Sequence, residues 1–443
     1  MSRRRPIDIV LRPLSRFIHG ETTAGLVLGL AALVAMIWAN SPYADSYHAL
    51  WHTHLSLSVA GQSLDKTLHH WISDGLMTMF FFVVGLEIKR EVMAGRLSNR
   101  RDALLPVVAA VGGMVVPASI FALLNPPGSD SFRGWGIPMA TDIAFALGIL
   151  SLLGRRVPVA LKVFLTAVAI ADDLGAVLVI AVFYTSDISY ASLLIAAAAL
   201  LILMLANTAG VRSSYFYALV GIGWLWLAFS FSGVHATIAG ILAAFCIPAH
   251  PEISEGEFVE KVGTKVEEFG IIDPIKAPLL KAEQRQLLEE IRLAVDDADT
   301  PLQKLENGLH PLVSFFILPL FALANAGVTL DQEAVSQLGN PLALGVILGL
   351  VLGKLIGIVG AVALVVKSGL SRLPEGLGWS HIVGAATLGG VGFTMSLFVT
   401  HLAFNDQALI SQAKAGILTA SVLAGTTGYL ILRLTCKEEQ PTS

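Results

Sequence analysis

The chain has 443 residues, 55% of them hydrophobic and only 14% charged, whereas an ordinary soluble domain carries about 25% charged residues. That deficit excludes a cytosolic enzyme, and 29 Lys+Arg against 33 Asp+Glu, a net charge of −4, leaves no basic surface for nucleic acid. Two cysteines, Cys246 and Cys436, have no ligand-like spacing and indicate neither a disulfide framework nor a zinc site.

In chain order, residues 1–20 come first. Arg3, Arg4 and Arg5 precede Ile7, Ile9, Val10 and Leu11, the pattern of a cytoplasmic amphipathic segment lying on the inner membrane surface. A spanning helix needs roughly 20 mostly apolar residues, and twelve such runs follow. Eight lie within 21–250: Thr23–Asn40, Leu68–Gly85, Leu104–Leu124, Trp135–Leu153, Val157–Tyr184, Ser192–Ala209, Tyr215–Phe231 and Val234–Ala249. Four lie within 306–435: Leu309–Gly327, Pro341–Val366, Trp379–Phe404 and Leu409–Leu432. The fold class is therefore an all-α integral membrane protein in the lipid bilayer.

Between the first two runs, His54-Leu-Ser-Leu-Ser-Val59 alternates with period two and Ala60-Gly61-Gln62 offers a turn. This predicts a small external β-hairpin at about residues 50–66. Its free edge suits pairing with a second copy, so a homodimer is expected. Residues 251–305 break the apolar pattern; Pro251 to Lys304 holds 13 acidic and 7 basic residues. Helical spacing over Pro278–Val295 predicts a surface helix there, in a charged cytoplasmic loop without chemistry. Residues 436–443 form a short tail.

Basic residues set the orientation. The N-terminus and every second connection after it hold 24 of the 29 Lys and Arg, while the opposite connections hold only Lys66 and Arg133. Short basic loops stay inside, so both termini are read as cytoplasmic. Lys162, Lys354 and Lys414 fall within the runs; Lys162 and Lys414 read as side chains snorkelling near span ends.

Acids deep in the runs are few: Asp142 in the fourth, Asp172 and Asp173 in the fifth. Placing one at a helix centre costs about 2.5–3.5 kcal/mol even on the lenient insertion scale, which marks a functional site. Counting from the inner turn at Arg155 and Arg156, Asp142 and Asp172 lie roughly 20 Å deep, and Lys354, counted from Lys367, reaches a similar layer. Backbone breaks share that layer. Gly136-Ile-Pro138-Met-Ala-Thr-Asp142 interrupts the fourth run, and Gly384-Ala-Ala-Thr-Leu-Gly389-Gly390-Val-Gly392 the eleventh. Spans three to five and ten to twelve run in opposite senses, each triplet with a broken middle helix, the signature of inverted repeats meeting at mid-membrane.

At these residues the chain resembles the NhaA family of bacterial sodium/proton antiporters. The matching strings are Gly85-Leu-Glu-Ile-Lys-Arg-Glu91, Gly136 to Gly148, Ala171-Asp-Asp-Leu-Gly-Ala176, Leu318 to Gly327, Gly353-Lys354 and Gly392-Phe-Thr-Met395. The resemblance implies twelve helices, the discontinuous fourth and eleventh crossing at mid-membrane. It further implies ion-binding aspartates at Asp172 and Asp173, with Asp173 the firmer sodium ligand, and a facing lysine at Lys354. Thr141 and Asp142 would stand at the crossing, and Glu87, Arg90, Glu91 and Glu306 would form a cytoplasmic pH-response cluster. The location implied is the bacterial inner membrane and the physiological roles pH homeostasis and salt tolerance; no cofactor is expected beyond the transported Na⁺ or Li⁺ and H⁺. Leu355 departs from the family, which usually has proline after the lysine.

Adjacent carboxylates in a poorly solvated cavity are costly to leave both charged, so protons and Na⁺, a hard cation seeking oxygen ligands, compete for them. Lys354 is placed to neutralise Asp172 when sodium is absent. The rival transport reading is a sodium-coupled symporter of an organic solute, which needs a larger central cavity. An intramembrane aspartyl protease expects Tyr-Asp and Gly-x-Gly-Asp, whereas Thr141-Asp142 and Ala171-Asp172 stand here, so the chain is not read as an enzyme. His235 reads as a hydrogen-bonded interface histidine, and irregular spacing argues against metal binding by His48, His52, His54, His69 and His70.

Overall fold

The computed structural model describes residues 21–59, 62–185, 188–272, 280–329 and 337–436. The predicted amphipathic segment at 1–20 and the tail beyond Cys436 lie outside the described residues.

The described residues are mostly helical. Among them, seven helices are long and apolar enough to cross a membrane, or ten if each of three bent pairs counts as one span. Two shorter apolar helices, Ser214–Ser230 and Thr237–Cys246, occupy the seventh and eighth runs. Helix ends depart from the sequence reading where polar residues extend a span. The second helix runs from Leu68 to Met93 and the ninth from Pro301 to Asn325, which puts Glu306 in the second turn of the ninth helix.

Large apolar side chains remain on the outside, among them Leu30 at 60%, Leu194 at 72% and Leu219 at 74% exposure. Water would penalise so much apolar surface, whereas acyl chains would not. Inside, helices meet through small residues. A Cβ on Gly85 of the second helix would stand 2.8 Å from Ala244 Cβ of the eighth. Gly112 and Gly357 bring the third and tenth helices so close that a Cβ on either would strike the other's backbone. Such contacts let backbones approach where no hydrophobic drive separates helix from lipid.

The sheet pairs His54–Val59 with Gln62–Thr67 antiparallel, His54 opposite Thr67 and Val59 opposite Gln62. Trp71 Nε1 donates to Leu55 O at 3.0 Å and fastens the hairpin to the second helix. The predicted hairpin limits need one correction: residues Ala44–His52 form a helix, bent by 114° from the first span. Its Tyr47 hydroxyl donates to Leu323 O at 2.9 Å, which holds it against the end of the ninth helix.

The charged loop also differs from the expectation of one helix. Glu255–Ile271 and Ala282–Ala298 both form, and Lys265 bridges them to Glu290 at 2.9 Å. The first has a capping box at Ser254 and Glu257, a start signal worth as much as apolar periodicity.

Candidate functional site

The fourth and eleventh spans are each broken. A 3₁₀ helix, Asp130–Met139, gives way to extended residues before Ile143–Leu152, with a bend of 43°. Trp379–Leu388 and Phe393–Ala403 are separated by Gly389-Gly390-Val391-Gly392, with a bend of 46°. Pro138 carries no amide hydrogen, and a Cβ on Gly390 would collide with Leu350 O.

The two breaks satisfy each other's backbone. Asp142 N donates to Val391 O at 2.7 Å, Thr141 Oγ1 to Gly389 O at 2.9 Å, and Ser396 Oγ to Ile137 O at 2.9 Å. The Asp142 carboxylate accepts from Phe145 N at 2.9 Å through Oδ1, and from Thr394 N at 3.0 Å and Thr394 Oγ1 at 2.5 Å through Oδ2. One carboxylate thus caps two half-helices at their N-terminal ends, where the backbone carries partial positive charge. Its oxygens are committed to that task.

Asp172 and Asp173 lie side by side on Val159–Phe183, each 1% exposed. Lys354, also 1% exposed, donates from Nζ to Asp172 Oδ2 at 2.5 Å. A π-helical turn, Gly349–Gly353, immediately precedes Lys354, and the α-helix continues through Leu355 to Lys367. Thr141 lies beside Asp172 but gives its proton to Gly389 O. Asp172 Oδ1 and Asp173 Oδ1 are buried without a hydrogen-bond donor. Buried acceptors in proteins are rarely left so, and two on adjacent carboxylates form a ready oxygen site for a cation or proton. Asp142 and Glu87 both lie within electrostatic range of Asp173.

At the other end of the second helix, Arg90 pairs with Glu306, which is 6% exposed. Glu87 lies within electrostatic range of both. Glu91 Oε1 accepts from Arg96 N at 2.7 Å and closes the following turn, while Glu91 also lies within electrostatic range of Glu87. The structure therefore gathers Glu87, Arg90 and Glu306, with Glu91 beside Glu87.

Thr394 was not singled out by sequence reasoning, although it stands in the Gly392-Phe-Thr-Met395 string. The signal was its place two residues after a break, where backbone N–H groups point away from the helix. Lys414 is corrected: it lines a cavity with His69, Asp74 and His401 instead of snorkelling along lipid. His235 hydrogen-bonds Tyr184 O at 2.7 Å.

Known proteins are similar to this sequence nearly end to end. Residues 15–432 match the family described as Na+/H+ antiporter 1. A protein of Oleidesulfovibrio alaskensis named Na(+)/H(+) antiporter NhaA is 49% identical over 438 residues, 99% of this chain and 97% of the relative. Na(+)/H(+) antiporter NhaA 1 of Saccharophagus degradans is 49% identical over 96% of this chain and 91% of its own. The Na(+)/H(+) antiporter NhaA of Sulfurimonas denitrificans is 45% identical over 98% of each. A solved structure of the sodium proton antiporter MjNhaP1 from Methanocaldococcus jannaschii covers 92% of each chain at 13% identity, with a TM-score of 0.41.

Proposed function

The chain belongs to the Na+/H+ antiporter 1 family, and from that premise we propose that it is a multi-pass secondary transporter exchanging cytoplasmic Na⁺ or Li⁺ for external protons by alternating access. The observation that carries this reading is the pair of unpartnered oxygens, Asp172 Oδ1 and Asp173 Oδ1, facing a lysine that already holds the other Asp172 oxygen.

Sodium enters as substrate and takes carboxylate oxygens as a hard cation does. Its arrival displaces the Lys354 ammonium from Asp172 and discharges bound protons. Protons arriving from the other side reverse the exchange. A cavity holding two bare carboxylates is costly to carry across the bilayer, so the rocking step favours the protonated or sodium-loaded forms. No covalent bond changes, and no resident cofactor is needed. Where protons outnumber sodium ions, each net charge moved is worth about 2.3 kcal/mol per 100 mV. Symport of an organic solute is not favoured, because the relatives that match nearly end to end are named Na(+)/H(+) antiporters.

The architecture assigned with this function is twelve spans in two inverted repeats, with the fourth and eleventh crossing at mid-membrane between their bonded breaks. Asp142, Thr141 and Lys354 support the site and offset the half-helix dipoles. Glu87, Arg90, Glu91 and Glu306 carry the pH response from the inner face, Glu91 also closing the adjoining turn. The domain limits follow the sequence reading, except that the charged cytoplasmic loop ends where the ninth helix begins, at Pro301. The location is the bacterial inner membrane, with both termini cytoplasmic. A homodimer joins through the external hairpin, by adding strands to the edge of its two-stranded sheet; cysteine pairs across that edge should crosslink in membranes.

The test uses inside-out vesicles carrying a proton gradient. Addition of Na⁺ or Li⁺ should collapse the gradient, and Asp173→Asn should abolish the collapse. Indifference of the native protein to Na⁺, Li⁺ and K⁺ alike would falsify the reading.

A further inference from the structure

Between the eighth and ninth spans, Glu255–Ile271 and Ala282–Ala298 form a helix pair that has no part in the exchange at Asp172 and Asp173. The two helices are antiparallel: Glu252 N donates to Asp297 O at 2.9 Å at the base, and Lys265 meets Glu290 at 2.9 Å along the length. Arg212 Nη2 donates to Asp299 O at 3.0 Å and fastens the base to the turn between the sixth and seventh spans.

One face of this pair is apolar and open. Val259 and Val266, seven residues apart on the first helix, are 68% and 56% exposed; Leu288 and Val295, seven apart on the second, are 43% and 47% exposed. Residues seven apart lie on one side of a helix. Lys265 and Glu290 mark the sides on which the helices meet, and Ala294, four residues after Glu290, is buried on that side. Val266 comes one position after Lys265 and Val295 one after Ala294, each a turn of about 100° in the same sense. In two antiparallel helices, equal turns of one sense bring both stripes to the same face of the pair. Large aliphatic side chains grouped in water mark a surface that something covers.

The charge of the pair selects the occupant. Each helix holds five acidic and two basic side chains, so an anionic membrane surface or a second such pair is repelled. A basic, apolar segment fits, and the chain carries one. Residues 1–20, which lie outside the described residues, hold Arg3, Arg4, Arg5, Arg12 and Arg16 against Asp8 alone. Ile7, Val10, Leu14 and Phe17 are interspersed among them.

The point of attachment is near. The first helix, Glu21–Ala39, packs along Val313–Asn325 of the ninth, and Asn40 Nδ2 donates to Val328 O at 2.7 Å at their shared end. Counting back equally along both puts Glu21 level with Leu309, about 12 Å along the axis from Pro301, where the ninth helix begins. Twenty residues reach about 30 Å at the helical rise and more than twice that when extended. A segment so tethered acts at an effective concentration of about a millimolar, which populates a contact too weak for separate molecules.

We propose that residues 1–20 dock on the face formed by Val259, Val266, Leu288 and Val295, with their arginines set against the acids of the pair. The docked segment ties the start of the first helix to the helix pair that leads into the ninth, at the end of the bundle where Arg90 meets Glu306. Docking rests on charge and apolar cover and is independent of the exchange reading.

The test uses the full chain in proteoliposomes. A benzophenone carried on Leu14→Cys, in a background of Cys246→Ala and Cys436→Ala, should on illumination insert into residues 255–271 and 282–298 of the same chain. Mixing isotope-labelled with unlabelled copies tells the same chain from a neighbour. Arg3→Gln, Arg4→Gln and Arg5→Gln together should lower the yield about fivefold, as should 1 M KCl, where the screening length falls to about 3 Å. Val266→Asp should lower it as well, whereas Leu293→Asp, one position before Ala294 and so turned to the opposite flank, should not. Insertion into lipid alone, insertion into a neighbouring copy, or a yield indifferent to the arginines overturns the proposal. If the labelled variant does not reconstitute, hydrogen exchange decides: amides of Glu255–Ile271 should exchange about threefold faster in the triple arginine variant than in the native chain. Equal exchange in the two removes the docking.

Discussion

Lys354 and Asp172 stand 182 residues apart in sequence and meet at 2.5 Å, each only 1% exposed. The neighbouring Asp173 has no such hydrogen-bonded cation. Two adjacent carboxylates therefore have different work: one is held by a lysine that must be displaced, and the other keeps an oxygen without any donor.

Breaking that pair should be more damaging than removing it. Lys354→Met leaves Asp172 buried and unpaired, a loss of about 3–5 kcal/mol by analogy with other buried pairs. Adding Asp172→Asn to it should restore at least half the lost stability. Thermal melting of the purified protein in detergent measures both, and additive losses would show that the pair has no energetic coupling.

Asp142 is expected to act through folding before transport. Asp142→Ala removes its accepted bonds at two helix starts, at about 1 kcal/mol for each cap. Thr394→Val removes only the side-chain donor and should cost less than Asp142→Ala. Equal melting temperatures for Asp142→Ala and the native protein would contradict the capping role.

Gly353 fixes how near Lys354 can come to the third helix. A Cβ there would stand 2.7 Å from Pro117 Cα, a backbone atom with little freedom to yield. Gly353→Ala should therefore destabilise by about 1–3 kcal/mol through overpacking and weaken Na⁺-dependent exchange. The control Gly360→Ala meets nothing within 4 Å and should leave stability near the native level or raise it.

The helix pair of the charged loop, Glu255–Ile271 and Ala282–Ala298, should be insensitive to pH over the working range. Hydrogen bonds from Lys265 and Gln286 hold Glu290 below its usual range, and bonds to Glu290 and Glu268 hold Lys265 above its own. A lowered carboxylate value gives a contact that is lost only as pH falls through it; a raised lysine value gives one lost only as pH rises through it. Spin labels at Val259 and Leu293 should keep one separation across neutral pH and spread only as acid falls below the usual carboxylate range, or base rises above the usual lysine range. A change near pH 7–8 would mean that other groups titrate the pair, and would give this loop a share in the pH response.

Sequence alone determined the class, the order of the apolar runs, the two broken spans and the layer of Asp142, Asp172, Asp173 and Lys354. Each rests on a cost that local composition sets: apolar length against bilayer thickness, and a charge or a helix break that hydrocarbon penalises unless something answers it. The tertiary structure decided which groups answer. It gave the Asp142 oxygens to two helix ends and left Asp172 Oδ1 and Asp173 Oδ1 without donors. It paired Glu306 with Arg90, gave a Glu91 oxygen to Arg96 N, and placed Lys414 and His401 in one cavity. Those choices depend on helices meeting from distant parts of the chain, through glycine contacts such as Gly112 with Gly357, and no periodicity within one helix encodes which partner a side chain will face.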